Sequence, residues 1–126
     1  MGEILLVDDN LDLLWLVRTL LEQEGMTVQC AESGEEALYE LGVKAFCMMI
    51  TDLDLPGLNG LALTRKALEI APCMPVIMIT GNISPEIPQL AEEVGIARVL
   101  AKPFHSHEII AAIRDACSRT LKNADC

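Results

Sequence analysis

Apolar residues follow two alternating rhythms along this chain. Five short runs, near 3–7, 26–30, 46–51, 75–80 and 97–101, are too brief for helices and carry the aliphatic and β-branched residues of buried strands. Near 10–24, 33–43, 58–71, 85–94 and 106–121, apolar positions recur with helical spacing instead. In the first of these, Leu13, Leu16, Val17, Leu20 and Leu21 follow the i, i+3, i+4, i+7, i+8 rule and predict a core-facing stripe, with Gly25 placed to end the helix. Ser33 with Glu36 three residues on marks the start of the second helix. Pro56, Gly57, Asn59 and Gly60 make a turn-rich loop, while Pro85 and Pro88 keep the fourth helix short or start it near Pro88. Strict alternation of strand and helix predicts βαβ units with right-handed crossovers and a parallel sheet, the α/β class.

The polar residues that close the strand-like runs change the picture. Asp8 and Asp9 follow the first run, Asp52 and Asp54 the third, Thr80 the fourth and Lys102 the fifth. In open α/β sheets ligands bind beyond the carboxyl ends of the strands. Side by side in a parallel sheet, these groups gather at one edge suited to a divalent cation and a phosphoryl group. Read singly, each is ordinary: Asp8 and Asp9 as helix caps, Asp52 as a loop acid, Thr80 as a β-former, Lys102 as a surface lysine. The ordered set at strand ends is the signal.

The 126 residues suit one domain, 1–126, that buries roughly two thirds of its unfolded surface. A composition 52% hydrophobic supplies the core. Nineteen acidic against nine basic residues give a net charge of -10, which argues against nucleic acid as a direct partner, since phosphate binding needs a basic face. Cys30, Cys47, Cys73, Cys117 and Cys126 are odd in number and include no CxxC, so they read as reduced, structural thiols of a cytoplasmic protein. No secretory signal and no apolar run approaching ~18 residues is present, so no membrane association is expected.

Asp8-Asp9, Asp52, Thr80 and the Lys102-Pro103-Phe104 step, separated by 43, 28 and 22 residues from Asp9 onward, resemble the receiver domain of bacterial response regulators. The resemblance runs from Ile4 to about Leu121. It implies a flavodoxin-like, doubly wound five-stranded parallel sheet of order 2-1-3-4-5 with five helices. It further implies that Asp52 accepts a phosphoryl group from a histidine kinase or histidine phosphotransfer protein, and that Asp8, Asp9, Asp52 and the Asp54 carbonyl hold Mg²⁺. Thr80 and Lys102 would then contact the phosphoryl group, and a downstream protein or linked output domain would read the change. Such a module is a self-catalysing switch more than a turnover enzyme. It can stand alone, or belong to a hybrid histidine kinase or multidomain regulator. Two further readings share the architecture. A phosphorylation-independent interaction module is disfavoured by the intact Asp52, Thr80 and Lys102; a metallohydrolase is disfavoured by the short loops.

Four features stand apart. Receivers usually carry Tyr or Phe three residues before the lysine, and here that position is Val99. The route by which the state of the site reaches the face of helix four, strand five and helix five is therefore open. Leu11 and Trp15 point roughly 150–170° from the predicted stripe and, with Arg18, form a candidate docking patch for the phosphodonor. The Asp54 side chain is an extra acid expected to tune metal affinity or phosphoryl lifetime. His105 and His107 lack a matching acidic or Cys partner and read as a solvated start of the last helix.

Overall fold

The computed structural model describes residues 2–82 and 84–117 in full and the backbone of 118–122. Cys126 lies outside the described residues. Five strands, β1 (Glu3–Val7), β2 (Thr27–Ala31), β3 (Met48–Asp52), β4 (Val76–Thr80) and β5 (Arg98–Ala101), alternate with α1 (Leu11–Gln23), α2 (Gly34–Val43), α3 (Gly60–Ile70), α4 (Glu86–Val94) and α5 (Ser106–Lys122). All strand pairs are parallel and the sheet order is β2-β1-β3-β4-β5. The expected doubly wound topology is therefore present.

The local signals explain the boundaries. Asn10 caps α1, its side-chain oxygen accepting the N–H groups of Asp12 and Leu13. At the other end Gly25 takes φ +82°, and its N–H and that of Met26 return to the carbonyls of Glu22 and Leu21. That left-handed turn is cheap only for glycine. Ser33 caps α2 by accepting the Glu36 N–H, while the Glu36 carboxylate accepts the Glu32 N–H. Pro88 sits in the first turn of α4, so the helix begins at Glu86, before it, and is only nine residues long.

Every residue of β3 and β4 is buried, as expected where helices cover both sheet faces. Alternate side chains serve two cores. Ile4, Leu6, Met48, Ile50, Ile77 and Ile79 pack toward α1 and α5; Leu5, Val7, Met49, Val76 and Met78 pack toward α2, α3 and α4. No helix among the described residues is long and apolar enough to cross a membrane.

The predicted α1 stripe needs one correction. Leu14, Val17 and Leu21 are buried with Leu13 and Leu20 beside them, whereas Leu16 is 58% exposed. Positions 14, 17 and 21 centre the true stripe roughly 65° round the helix from the predicted one, because Leu14 as well as Leu13 faces the sheet. Leu16 instead joins Leu11 and Trp15, 60% and 68% exposed, on the outer side. Leu14→Ala should cost about 2–4 kcal/mol in urea unfolding and Leu16→Ala less than about 0.5 kcal/mol. The reverse order would restore the original stripe.

Candidate functional site

The register of the sheet assembles the site. Val7 pairs with Thr51, so Asp8 leaves β1 beside Asp52 at the end of β3. Asp52 pairs with Ile79, and Thr80 with Ala101, which sets Lys102 one step beyond. Backbone bonds continue past the ladders: Asp8 N–H to Ala31 C=O at 3.1 Å, Leu53 N–H to Ile79 C=O at 3.0 Å and Lys102 N–H to Thr80 C=O at 2.9 Å. The strand ends are thereby fixed rather than frayed. The Lys102–Pro103 peptide is cis.

Gly60 contributes by having no side chain. A Cβ there would run into the Asp52 carbonyl oxygen and crowd the Leu53 backbone, while its N–H donates to the Leu53 carbonyl at 2.9 Å. The start of α3 thus sits directly against the β3 end, an approach that glycine permits. Beside Thr80, a Cβ built on Gly81 meets nothing within 4 Å, so the mouth of the site is open there.

Asp8, Asp9 and Asp52 converge, each offering a carboxylate oxygen within 4.8 Å of the others. Asp8 and Asp52 are buried and Asp9 is exposed. Lys102 bridges the two buried acids, its Nζ 3.6 Å from Asp8 Oδ2 and 3.4 Å from Asp52 Oδ1. Burial raises the Asp8 pKa, and the Asp52 charge pushes the same way; the Asn10 N–H, 2.9 Å from Asp8 Oδ1, and Lys102 oppose both. Asp52 Oδ1 is buried and, among the described residues, has no hydrogen bond of proper geometry besides its ion pair with Lys102. A buried carboxylate oxygen short of donors, with two further acids alongside, suits a hard divalent cation.

Thr80 is buried, and its Oγ1 accepts the Asn82 N–H at 2.9 Å, leaving the hydroxyl proton free to donate elsewhere. Asn82 is a residue that the sequence reading passed over, although Asn directly after Gly81 is a turn signal. Its Oδ1 also accepts the Ser84 N–H, ordering the loop after β4. Asp54 is exposed, and its carboxylate lies outside the three-acid cluster. It lines a separate cleft of about 600 Å³ with Asp9, Asn82, Leu55, Pro56 and Ile87.

Away from the site, Val99 is half-buried and lines a groove of about 690 Å³ with Thr80, Ile87, Ala91 and Ala97. His105 and His107 are exposed and stacked, ring centroids 5.5 Å apart. Cys30, Cys47 and Cys117 are free thiols, and burial raises the pKa of each.

Residues 4–114 match the sequence pattern of the response regulator receiver domain. The chain belongs to that family. It is 37% identical over 120 residues to the transcriptional regulatory protein CpxR homolog of Haemophilus influenzae, covering 95% of this chain and 52% of that protein. It is 35% identical over 115 residues to the C4-dicarboxylate transport transcriptional regulatory protein DctD of Rhizobium meliloti, covering 90% of this chain and 25% of that protein. The chain therefore spans about half or less of the curated relatives it matches. Among solved structures, the CheY-like receiver domain protein of Methanospirillum hungatei superposes with a TM-score of 0.92 at 29% identity, covering 97% of this chain and 98% of that one. The chemotaxis protein CheY4 of Vibrio cholerae gives 0.87 at 27%, covering 92% and 98%. This receiver is thus a module of two-component signalling.

The acidic cluster carries a stability cost that can be measured. Burial and the repulsion of the neighbouring Asp52 charge both act against the ionised form of Asp8. Asp8→Asn keeps an oxygen for the Asn10 N–H and removes that repulsion. It should raise the melting temperature of the metal-free protein by about 2–6 °C. A fall would mean that the ion pair with Lys102 outweighs the repulsion.

Proposed function

We propose that Asp52 is the phosphoacceptor of this receiver, that residues 1–126 act as one such unit, and that transfer requires Mg²⁺. The observation that carries this reading is the buried Asp52 Oδ1, short of donors and facing Lys102 at 3.4 Å. A carboxylate attacks phosphorus and yields an acyl phosphate. The transition state is loose and in-line, so the protein's work is positioning and charge balance. Asp8, Asp9, Asp52 and the Asp54 backbone carbonyl would hold the cation. When bound, the cation neutralises the phosphoryl oxygens and the three acids together.

The chain's own groups divide the rest. Lys102 shifts from pairing Asp8 and Asp52 to pairing Asp52's phosphoryl oxygens. Thr80 donates its free hydroxyl proton to that group. The opening beside Gly81 admits the donor and later the hydrolytic water. The donor is a histidine kinase or histidine phosphotransfer protein, and Leu11, Trp15 and Arg18 are its docking patch on α1. Arg18 is held by Glu22 at 3.4 Å, and all three side chains are exposed. A downstream protein or a linked output domain reads the result; Val99, smaller than an aromatic ring, leaves that readout to other groups on α4 and β5.

With Mg²⁺ and phosphoramidate or acetyl phosphate, the intact mass should gain one phosphoryl group, removed by Asp52→Ala. No adduct, or one that survives Asp52→Ala, ends this reading. Trp15→Ala should slow transfer from the cognate phosphohistidine protein by about ten-fold or more while leaving small donors unaffected. Equal rates from the protein donor would remove the docking patch.

A further inference from the structure

Among the described residues the buried polar side chains are Asp8, Thr51, Asp52, Thr64 and Thr80. Asp8, Asp52 and Thr80 belong to the site. Thr51 and Thr64 lie outside it, and both are fully buried. Each donates its hydroxyl to a backbone carbonyl: Thr51 Oγ1 to the Asp52 C=O at 2.9 Å, and Thr64 Oγ1 to the Gly60 C=O at 2.8 Å. The Thr64 bond is the ordinary back-bond of a helical threonine to the residue four before it. The Thr51 bond is of another kind, because it runs forward onto the acceptor residue itself.

The strand dictates where that hydroxyl sits. Thr51 stands two residues beyond Met49, so its side chain faces the same helical layer of α2, α3 and α4. Helix α3 starts on that side, where Gly60 presses on the same Asp52 carbonyl. The peptide between Asp52 and Leu53 is therefore held at both ends. Its N–H donates to the Ile79 C=O at 3.0 Å, and its C=O accepts the Thr51 hydroxyl. One residue on, the Leu53 C=O accepts the N–H groups of Gly60 at 2.9 Å and Leu55 at 3.1 Å. Of these links only the Thr51 hydroxyl belongs to a side chain. A valine would fill the same buried space and need no partner.

We infer that Thr51 is a positioning residue for the acceptor: its hydroxyl fixes the peptide plane after Asp52 and so sets the Asp54 carbonyl against the Asp52 carboxylate in the spacing a cation needs. The inference rests on Asp52 as acceptor and on the Asp54 carbonyl as a cation ligand. That peptide plane turns with ψ of Asp52 and φ of Leu53, the torsions that lead the chain from one ligand towards the other. Mg²⁺ demands near-octahedral geometry, so a turned carbonyl costs affinity. Groups that orient metal ligands govern affinity although they never touch the ion. The bland alternative is a hydroxyl that satisfies only itself inside the sheet.

Thr51→Val removes the donor and keeps the shape, whereas Thr51→Ser keeps the donor and loses a methyl group. The readouts are Mg²⁺ affinity by titration calorimetry and Leu53 amide exchange by NMR, with urea unfolding alongside. Thr51→Val should weaken Mg²⁺ binding about three- to ten-fold and speed Leu53 N–H exchange, leaving that of Ile50 unchanged. Thr51→Ser should bind Mg²⁺ within about two-fold of wild type, even though its lost methyl lowers the unfolding midpoint. Wild-type affinity in Thr51→Val overturns the inference. Equal losses in Thr51→Val and Thr51→Ser also overturn it, since they trace the effect to packing. Should Thr51→Val fail to fold, Thr51→Ser against Thr51→Ala makes the same comparison, and equal Mg²⁺ affinities in those two overturn it. A wild type that binds no Mg²⁺ overturns the reading of the site and this inference with it; equal affinities among the variants overturn the role of Thr51 alone.

Discussion

Three carboxylates brought within 4.8 Å of one another resist their own assembly. Two unit charges at 4 Å repel by about 4 kcal/mol at an effective dielectric near 20. The backbone holds them there regardless, because parallel pairing of β1 with β3 makes Asp8 and Asp52 neighbours by register. Lys102, delivered by β5 through β4, spans Asp8 and Asp52 and offsets part of that repulsion. The site is therefore a charged spring set by the sheet. The same strands that bury Met49, Ile50, Ile77 and Met78 pin it, so the surrounding cores supply the free energy that keeps like charges together.

The sheet class, the five strands and helices and the convergence of Asp8, Asp9 and Asp52 were legible because each rests on a local rule: period, caps, and polar residues closing apolar runs. The α1 face was not fully legible. Leu13, Leu14, Leu16, Leu20 and Leu21 fit two neighbouring stripes almost equally well, and only packing against the sheet shows that Leu14 belongs inside and Leu16 outside. The role of Gly60 was also hidden, since its contact with the Asp52 carbonyl spans a loop whose path sequence does not fix. Asn82 carried a turn signal, but its bond to Thr80 Oγ1 depends on how the chain leaves β4.

Two neighbouring hollows give the site different surroundings on its two sides. The cleft over Asp54 is acidic and apolar, and borders the three-acid cluster through Asp9. The groove over Val99 reaches Thr80 from the α4–β5 side, with Ala91, Ala97 and Ala101 among its lining. Ile87 and Asn82 line both. The loop after β4 and the first turn of α4 thus form the partition between them, so a change in how Thr80 is bonded bears on both spaces.

Trp15 is the chain's one tryptophan and stands 68% exposed on α1. Its indole is already solvated in the native fold. The wavelength of its emission should therefore shift little when the core melts, and a blue shift reports that something has covered α1. The residue is a poor gauge of folding and a built-in optical probe for whatever lands on that helix.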